Sequence, residues 1–199
     1  MGEEAIASAP VIFLAAIITN NILLSDYLGL CAFVAISKMV RTSLGMGAAV
    51  TFVMSATTVI NYALYHYVLS PYGLEYLQLI VFIVVIAAFV QLVEMVIERF
   101  TPVLYYNLGI FLPLITVNCA ILGASLFMVI RNYNFAQTVS YGVGSGLGWA
   151  LVITLMAGAR QRLRFSNIPQ RLQGLGITMI MTALMAMAFM GFTGMVTIQ

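Results

Sequence analysis

Six long apolar segments follow one another along the chain, with only short polar or turn-forming stretches between them. Each segment is long enough for a helix to cross the hydrocarbon core of a bilayer, which takes roughly 20 residues. The runs are continuous and lack the alternating polarity of membrane β-strands, so they favour helices. The segments are residues 10–37, 43–70, 74–98, 102–130, 136–159 and 173–197.

The scarcity of charged residues leads to the same conclusion. Charged side chains make up 7% of the 199 residues, and 63% of the residues are hydrophobic, whereas a soluble domain carries about 25% charged residues. Such a chain cannot cover its surface with groups that water solvates, which excludes a soluble enzyme and a disordered protein. The net charge of +2 is too small for a nucleic-acid-binding surface. We therefore expect an all-α integral membrane protein with a single membrane domain over residues 1–199.

The positive charges indicate how the helices are oriented. Six spans place both termini on one side of the membrane, and seven of the eight Lys and Arg residues then fall on the other side. Cytoplasmic loops are enriched in Lys and Arg, so we predict a multi-pass protein of the bacterial inner membrane with both termini in the periplasm. The seven cations are Lys38, Arg41, Arg99, Arg160, Arg162, Arg164 and Arg171, and the exception is Arg131.

The two halves of the chain share a faint pattern. Predicted spans 1 and 4 each contain a Cys-Ala pair, Cys31-Ala32 and Cys119-Ala120, and the next span in each half opens with glycines. Because each half has three spans, the second half enters the membrane in the opposite direction, as in transporters built from inverted repeats. We predict two inverted three-helix repeats, about 10–98 and 102–197, in which helices 1 and 4 are discontinuous.

Cys31 and Cys119 are the leading candidates for chemistry. Gly29 lies just before Cys31, and Pro113 and Gly123 flank Cys119. Proline is expected to kink or interrupt its helix, and glycine permits bending or close approach. Inverted halves would bring the two thiols together near the axis that relates them. The residues alone leave three interpretations: small buried apolar side chains, a disulfide, or half of a metal site completed by a partner.

Two acidic residues, Asp26 and Glu94, fall at the predicted depth of the membrane. A charge in the bilayer core costs about 2.5–3.5 kcal/mol on insertion scales, so such side chains usually face the bundle interior or a cavity. Asp26 either binds a cation or is satisfied by exposed backbone at a broken helix. Glu94 either pairs with Arg99 near the interface or belongs to a path for a cation or proton.

The other polar and small residues of the spans have a structural interpretation. The main expectation for Asn20, Asn21 and Asn118 is hydrogen bonding between helices, and a second role is to satisfy backbone groups that the broken helices leave free. Four glycines in the fifth span form two small-xxx-small pairs, which predict close packing against neighbouring helices. The pairs are Gly142 with Gly146 and Gly144 with Gly148.

Several segments together resemble the related D/E and A/E membrane subunits of the Nqr and Rnf complexes. Val117-Asn118-Cys119 and the run from Gly144 to Trp149 are most similar to the E-type subunits of sodium-translocating NADH:quinone reductases. Asn20-Asn21 and residues 50–54 are closer to the A-type subunits of Rnf complexes. The resemblance covers essentially the whole chain, and the segments that carry it most clearly are residues 28–31, 91–95, 108–120 and 184–194.

This resemblance implies a function in electron transfer. Subunits of this kind form a pseudo-symmetric pair of six-span proteins, each of which gives two cysteines to one intramembrane [2Fe-2S] cluster. Cys31 and Cys119 match those positions, and Glu94 matches a carboxylate of the family, whereas Asp26 does not. Electron flow from NADH to ubiquinone would be coupled to sodium export.

The resemblance also implies that the chain works only within a complex. NADH and the flavins would bind other subunits, and the chain would have no catalytic residues of its own. The expected partners are a homologous D-type subunit, the other Nqr subunits and membrane lipid, with no nucleic acid.

Besides a purely structural role in assembly, two other functions stay open at this point. The first is an A-type Rnf subunit in an ion-translocating ferredoxin:NAD+ oxidoreductase. The second belongs to another class, a stand-alone secondary cation transporter in which Asp26 and Glu94 bind the ion.

Overall fold

The computed structural model describes residues 9–100, 112–163, 165 and 174–191. Within these ranges the regular structure is helical and contains no strand, which confirms the predicted all-α class. The helices are α1 Ala9–Ile17, α2 Leu30–Ile36, α3 Val40–Leu64, α4 Gln78–Phe100, α5 Leu112–Thr116, α6 Cys119–Ile130, α7 Phe135–Leu163 and α8 Leu175–Met190. A π-helical segment, Tyr65–Leu69, and a helical turn, Ser70–Tyr72, extend α3, and a 3-10 turn, Glu75–Leu77, precedes α4.

Four helical stretches are long and apolar enough, by length and composition, to cross a membrane. Helix α8 is also apolar but has only 16 residues. The four stretches match predicted spans 2 to 5, whereas the six-span count and the inverted repeat stay predictions. The stretches are Val40–Tyr72, Glu75–Val96, Pro113–Ile130 and Phe135–Leu163.

Both cysteine-containing segments are interrupted, as the sequence predicted. Between α1 and α2, residues 18–29 form turns and irregular backbone, and Tyr27 and Gly29 adopt positive φ angles of 55° and 85°. Between α5 and α6 only residues 117–118 leave the helical conformation. Asn118 begins α6 as its N-cap, because its side-chain oxygen accepts a hydrogen bond from the backbone N–H of Ala120 at 3.1 Å.

Pro113 lies in the first described turn of helix α5, which runs from Leu112 to Thr116. The residues before this helix lie outside the described ranges, so the expected interruption at Pro113 stays a prediction. The described interruption falls at residues 117–118, where Asn118 offers its side chain as a cap. Gly123 lies inside the continuous helix α6, where the missing side chain makes room for Leu28, so it provides close approach and no bend.

Helix α7 lies between α1 and α3, and its glycines make both contacts close. Gly142 and Gly146 face α3, while Gly144 and Gly148 face α1. A methyl group added at Gly148 would lie 2.9 Å from the main-chain oxygen of Ala16, which is closer than carbon and oxygen can pack. The predicted close packing of the two glycine pairs is therefore confirmed, with one pair turned toward each neighbouring helix.

Replacing Gly148 with alanine should destabilise the fold, whereas the same replacement at Gly158 should not. Both residues lie on α7, but an added methyl group at Gly158 meets no described atom within 4 Å. Overpacking typically costs about 1–3 kcal/mol, while alanine at an open helical position gains up to about 1 kcal/mol over glycine. The apparent melting temperature of the purified protein, followed by circular dichroism in detergent, should fall only for G148A. Equal melting temperatures for the two variants would contradict the close contact.

Candidate metal centre

The two cysteines meet where the helices are interrupted. Cys31 lies in the first turn of α2, and Cys119 is the first residue of α6. The two thiol groups lie close enough to interact electrostatically, and neither is part of a disulfide. The fold thus brings together the two sulfur atoms of the cysteines, although the segments that carry them are far apart in sequence.

The exposure of the thiols decides what kind of metal site they fit. Cys31 is exposed and Cys119 is partly exposed, so ligands from outside the chain can reach them. Among the described residues, no group of three or more His, Cys, Asp or Glu side chains is arranged to hold a metal ion. A [2Fe-2S] cluster usually takes four thiolates. Cys31 and Cys119 match two of the four ligands of such a site, and the other two would have to come from outside the described residues.

The backbone of Gly29 contacts one of the two thiols. Its N–H donates a hydrogen bond to the sulfur of Cys119, with a nitrogen–sulfur distance of 2.8 Å. Gly29 adopts a φ angle of 85°, a left-handed conformation that strains any residue with a side chain. Amide donors stabilise negative charge on a ligating sulfur, so this hydrogen bond also fits a thiolate that binds a metal.

Trp149 of α7 packs against the other side of Gly29. A Cβ atom added to Gly29 would lie 2.7 Å from the indole nitrogen of Trp149 and 3.1 Å from the side-chain oxygen of Asn118. Trp149 is fully buried, and its indole N–H has no hydrogen-bond partner among the described residues. The same holds for the side-chain nitrogen of Asn118. Two buried donors without partners therefore lie around the peptide that contacts Cys119.

Arg160, also on α7, holds the other end of α2. Its guanidinium donates hydrogen bonds to the main-chain oxygen of Val34 at 3.2 Å and to the hydroxyl of Ser37 at 2.8 Å. The last carbonyl groups of a helix have no partner within the helix, and Arg160 satisfies one of them. Through this contact α7 positions the short helix that carries Cys31.

Sequence reasoning missed the roles of Trp149 and Arg160 at this site. In the sequence, Trp149 was interpreted only as part of a family motif. Arg160 was interpreted only as one of the cations that indicate the orientation in the membrane. The available signal was weak: Trp149 is the single tryptophan of the chain and directly follows a predicted packing glycine.

Asp26 lies in the turns between α1 and α2, where it is exposed and within electrostatic range of Arg131. The guanidinium of Arg131 donates to the hydroxyl of Tyr133 at 3.2 Å and lies over the rings of Phe127 and Tyr141, at 5.6 and 5.8 Å from their centroids. The nearby guanidinium, which the sequence analysis did not pair with Asp26, attracts this carboxylate electrostatically.

Glu94 lies on α4, the most apolar of the four spanning stretches, with a mean hydropathy of 2.8. Its side chain is partly exposed. The neighbouring residues Val93 and Val96 line an apolar cavity of about 400 Å³ between α3 and α4, which Ile115 of α5 also lines. The predicted part of Glu94 in a cation path stays a prediction.

Comparison with known proteins identifies the family. The family described as Rnf-Nqr subunit, membrane protein, matches residues 10–196. The chain belongs to this family of membrane proteins.

Individual relatives match at about half of all aligned positions. The chain is 50% identical over 193 residues to the E subunit of the Na(+)-translocating NADH-quinone reductase of Pseudoalteromonas translucida, which covers 92% of this chain and 96% of the relative. It is also 50% identical over 184 residues, with the same coverage, to the A subunit of the Na(+)-translocating ferredoxin:NAD(+) oxidoreductase complex of Acetobacterium woodii. The E subunit of the NADH-quinone reductase of Methylococcus capsulatus is 49% identical over 193 residues, again with the same coverage.

Replacing Arg160 with alanine should loosen α2, whereas replacing Arg162 should not. Both residues lie on α7 and carry the same charge, but Arg162 is exposed and only Arg160 donates to Val34 and Ser37. In hydrogen–deuterium exchange followed by mass spectrometry, peptides that cover residues 30–38 should exchange several-fold faster in R160A than in the wild type. Unchanged exchange in R160A, or equal acceleration in R162A, would contradict this role of Arg160.

Proposed function

We propose that the chain is a membrane component of a Na+-translocating NADH:quinone reductase, in which Cys31 and Cys119 hold one half of an intramembrane [2Fe-2S] cluster. The observation that carries the proposal is the pair of free thiols, which interact electrostatically at two helix interruptions and are accessible from the surface of the chain. Membership of the Rnf-Nqr family and the relatives named as E subunits support it. A homologous D-type subunit supplies the other two thiolates.

When bound, the cluster supplies one-electron transfer within the membrane between flavin-bearing subunits. Cys31 and Cys119 bind it as thiolates, and the N–H of Gly29 stabilises the charge on the sulfur of Cys119. Arg160 and Trp149 orient the two ends of the segment that carries Cys31. NADH, the flavins and ubiquinone bind other subunits, so this chain transfers electrons only within the complex, where electron flow is coupled to sodium export.

The same proposal includes the arrangement in the membrane. The six apolar segments form two inverted three-helix repeats in the bacterial inner membrane, with both termini in the periplasm. The unequal distribution of Lys and Arg supports this orientation. The two interrupted helices support the inverted repeat, because each interruption directly precedes a cysteine-bearing helix.

An A-type Rnf subunit is the second candidate. The relative in Acetobacterium woodii, which is named as part of a ferredoxin:NAD(+) oxidoreductase complex, is as similar to this chain as the relatives from NADH-quinone reductases are. The paired thiols fit both complexes equally well. The electron donor distinguishes them, because the purified Nqr complex is reduced by NADH, whereas the Rnf complex is reduced by ferredoxin.

Replacing either Cys31 or Cys119 with alanine should remove the cluster while the complex still assembles. Each variant removes one of the two thiolates with which this chain would bind the cluster. The cluster would then be attached to this chain by a single sulfur. Iron content and visible absorbance of the purified complex should therefore fall several-fold or more. T154A is the matched control, because the Thr154 hydroxyl bonds only main-chain oxygens of its own helix. Normal iron content and electron transfer in C31A and C119A would contradict the proposed role of this chain in electron transfer. Such a result would favour a stand-alone transporter or a purely structural role in assembly.

Replacing Glu94 with glutamine should weaken the dependence of turnover on sodium. The carboxylate of Glu94 lies within a strongly apolar helix, where a charge is retained mainly for function. Quinone reductase rates, measured against sodium concentration, should show at least a several-fold higher half-saturating concentration in E94Q. E98Q is the control, because Glu98 lies one turn away on α4 and is exposed. A sodium dependence in E94Q that equals that of E98Q would rule out a part for Glu94 in the cation path.

A further inference from the structure

We propose that the apolar cavity between α3 and α4 binds one acyl chain of an anionic phospholipid, and that Arg41 and Arg99 bind the phosphate group of that lipid. The cavity has a volume of about 400 Å³, which lies within the usual range of ligand sites, about 300–1,000 Å³. The inference depends on membership of a family of membrane proteins and is independent of the proposed cluster.

The walls of the cavity provide contacts for a hydrocarbon chain. Every described residue that lines the cavity is apolar, and the rings of Phe52 and Phe89 approach each other across the two helices, with 6.4 Å between their centroids. Phe52 and Leu92 are 59% and 55% exposed, so the cavity opens at the surface of the described bundle. An acyl chain gains dispersion contacts with such walls, whereas water needs polar partners to bind in a cavity.

The face of α4 that borders the cavity continues to a positive charge. Leu92 and Val96 line the cavity, and Arg99 follows Val96 after three residues and Leu92 after seven, a spacing that places all three on one face of a helix. Arg99 is exposed. Glu98 lies on a different face, because consecutive residues are about 100° apart around a helix of 3.6 residues per turn. The exposed edge of the cavity on α4 therefore ends in a guanidinium group.

Helix α3 has a matching arrangement. Arg41, Gly45, Ala48 and Phe52 are all exposed, and their spacing of four, three and four residues places them on one face of the helix. The two residues between the arginine and the aromatic ring are small, so they leave room for a hydrocarbon chain along the helix.

Distances along the helices place the two arginines at the same level. Helices α3 and α4 are joined by a short connection and therefore run antiparallel. Starting from the contact between Phe52 and Phe89, Arg41 lies eleven residues earlier on α3 and Arg99 lies ten residues later on α4, which is about 16 Å and about 15 Å at 1.5 Å per residue. The acyl chains of one leaflet span half of a hydrocarbon core of about 30 Å. A phosphate held by the two arginines therefore lets the acyl chain extend along the cavity as far as the two aromatic rings.

The test is photo-crosslinking in a bilayer. The purified complex is reconstituted into phosphatidylcholine vesicles that contain a small fraction of phosphatidylglycerol with a diazirine group near the middle of one acyl chain, and labelled peptides are identified by mass spectrometry. Peptides that cover residues 49–53 and 89–96 should be labelled several-fold more strongly than the peptide that covers residues 147–151. That peptide lies at the same depth, because Gly47 of α3 packs against Ala150, and it includes exposed leucines. Equal labelling would indicate surrounding lipid only and would overturn the proposal.

Two pairs of variants test the cavity and the charge separately. V93F fills the cavity, which Val93 lines, and V84F adds the same volume at an exposed position of α4. R99Q removes a positive charge beside the cavity, and R162Q removes one at an exposed position of α7. Labelling of residues 49–53 should fall several-fold in V93F and in R99Q and stay unchanged in the two controls. Unchanged labelling in V93F, or equal falls in R99Q and R162Q, would contradict the site.

Competition in the wild-type complex covers the case in which V93F does not assemble. Excess unlabelled phosphatidylglycerol should displace the probe from residues 49–53, whereas the same excess of phosphatidylcholine should not. Equal displacement by both lipids would refute the role of the two arginines, and with it the anionic lipid. Displacement by ubiquinone at a much lower mole fraction would assign the cavity to an isoprenoid tail, and an unlabelled cavity would show that a partner subunit covers it. Either result would overturn the proposal.

Discussion

The close packing of α7 against α1 and α3 is the contact on which the rest of this structure depends. Glycines on two faces of α7 remove the side chains that would hold its neighbours away. As a result, the same helix reaches both ends of α2, with Trp149 against Gly29 and Arg160 against Val34 and Ser37. These two anchors are about 16 Å apart along α7 at 1.5 Å per residue, so a helix of seven residues is held at both ends and Cys31 is kept in place.

Interrupted helices in a membrane protein must satisfy the backbone groups that they free, because the bilayer core supplies no water. In this protein, asparagine side chains satisfy several of the freed backbone groups. The sequence predicted this role for Asn20, Asn21 and Asn118, and the structure shows it for Asn21 and Asn118. The side chain of Asn21 donates to Ile17 and accepts from Leu23, and that of Asn118 accepts from Ala120. In contrast, the indole nitrogen of Trp149 and the side-chain nitrogen of Asn118 have no hydrogen-bond partner among the described residues.

Local patterns predicted the features that depend on neighbouring residues. Four alternate glycines correctly indicated close packing of α7, and the two cysteine segments are interrupted as expected. The position of the described break at residues 117–118 was not predicted, because the capping side chain of Asn118 decides where the next helix begins. Trp149 and Arg160 were missed, since their partners lie more than 100 residues earlier and no periodicity connects them.

The sequence by itself determined the class of the protein. A chain with long apolar runs and 7% charged residues cannot form a stable fold that is exposed to water. In a bilayer the backbone must satisfy its own hydrogen bonds, which these long continuous runs do as helices. Only the tertiary structure decided that an amide 90 positions away from Cys119 contacts its sulfur. Such contacts depend on how closely two helices pack. This distance is set by the side chains of both helices together, so it cannot be predicted from either segment alone.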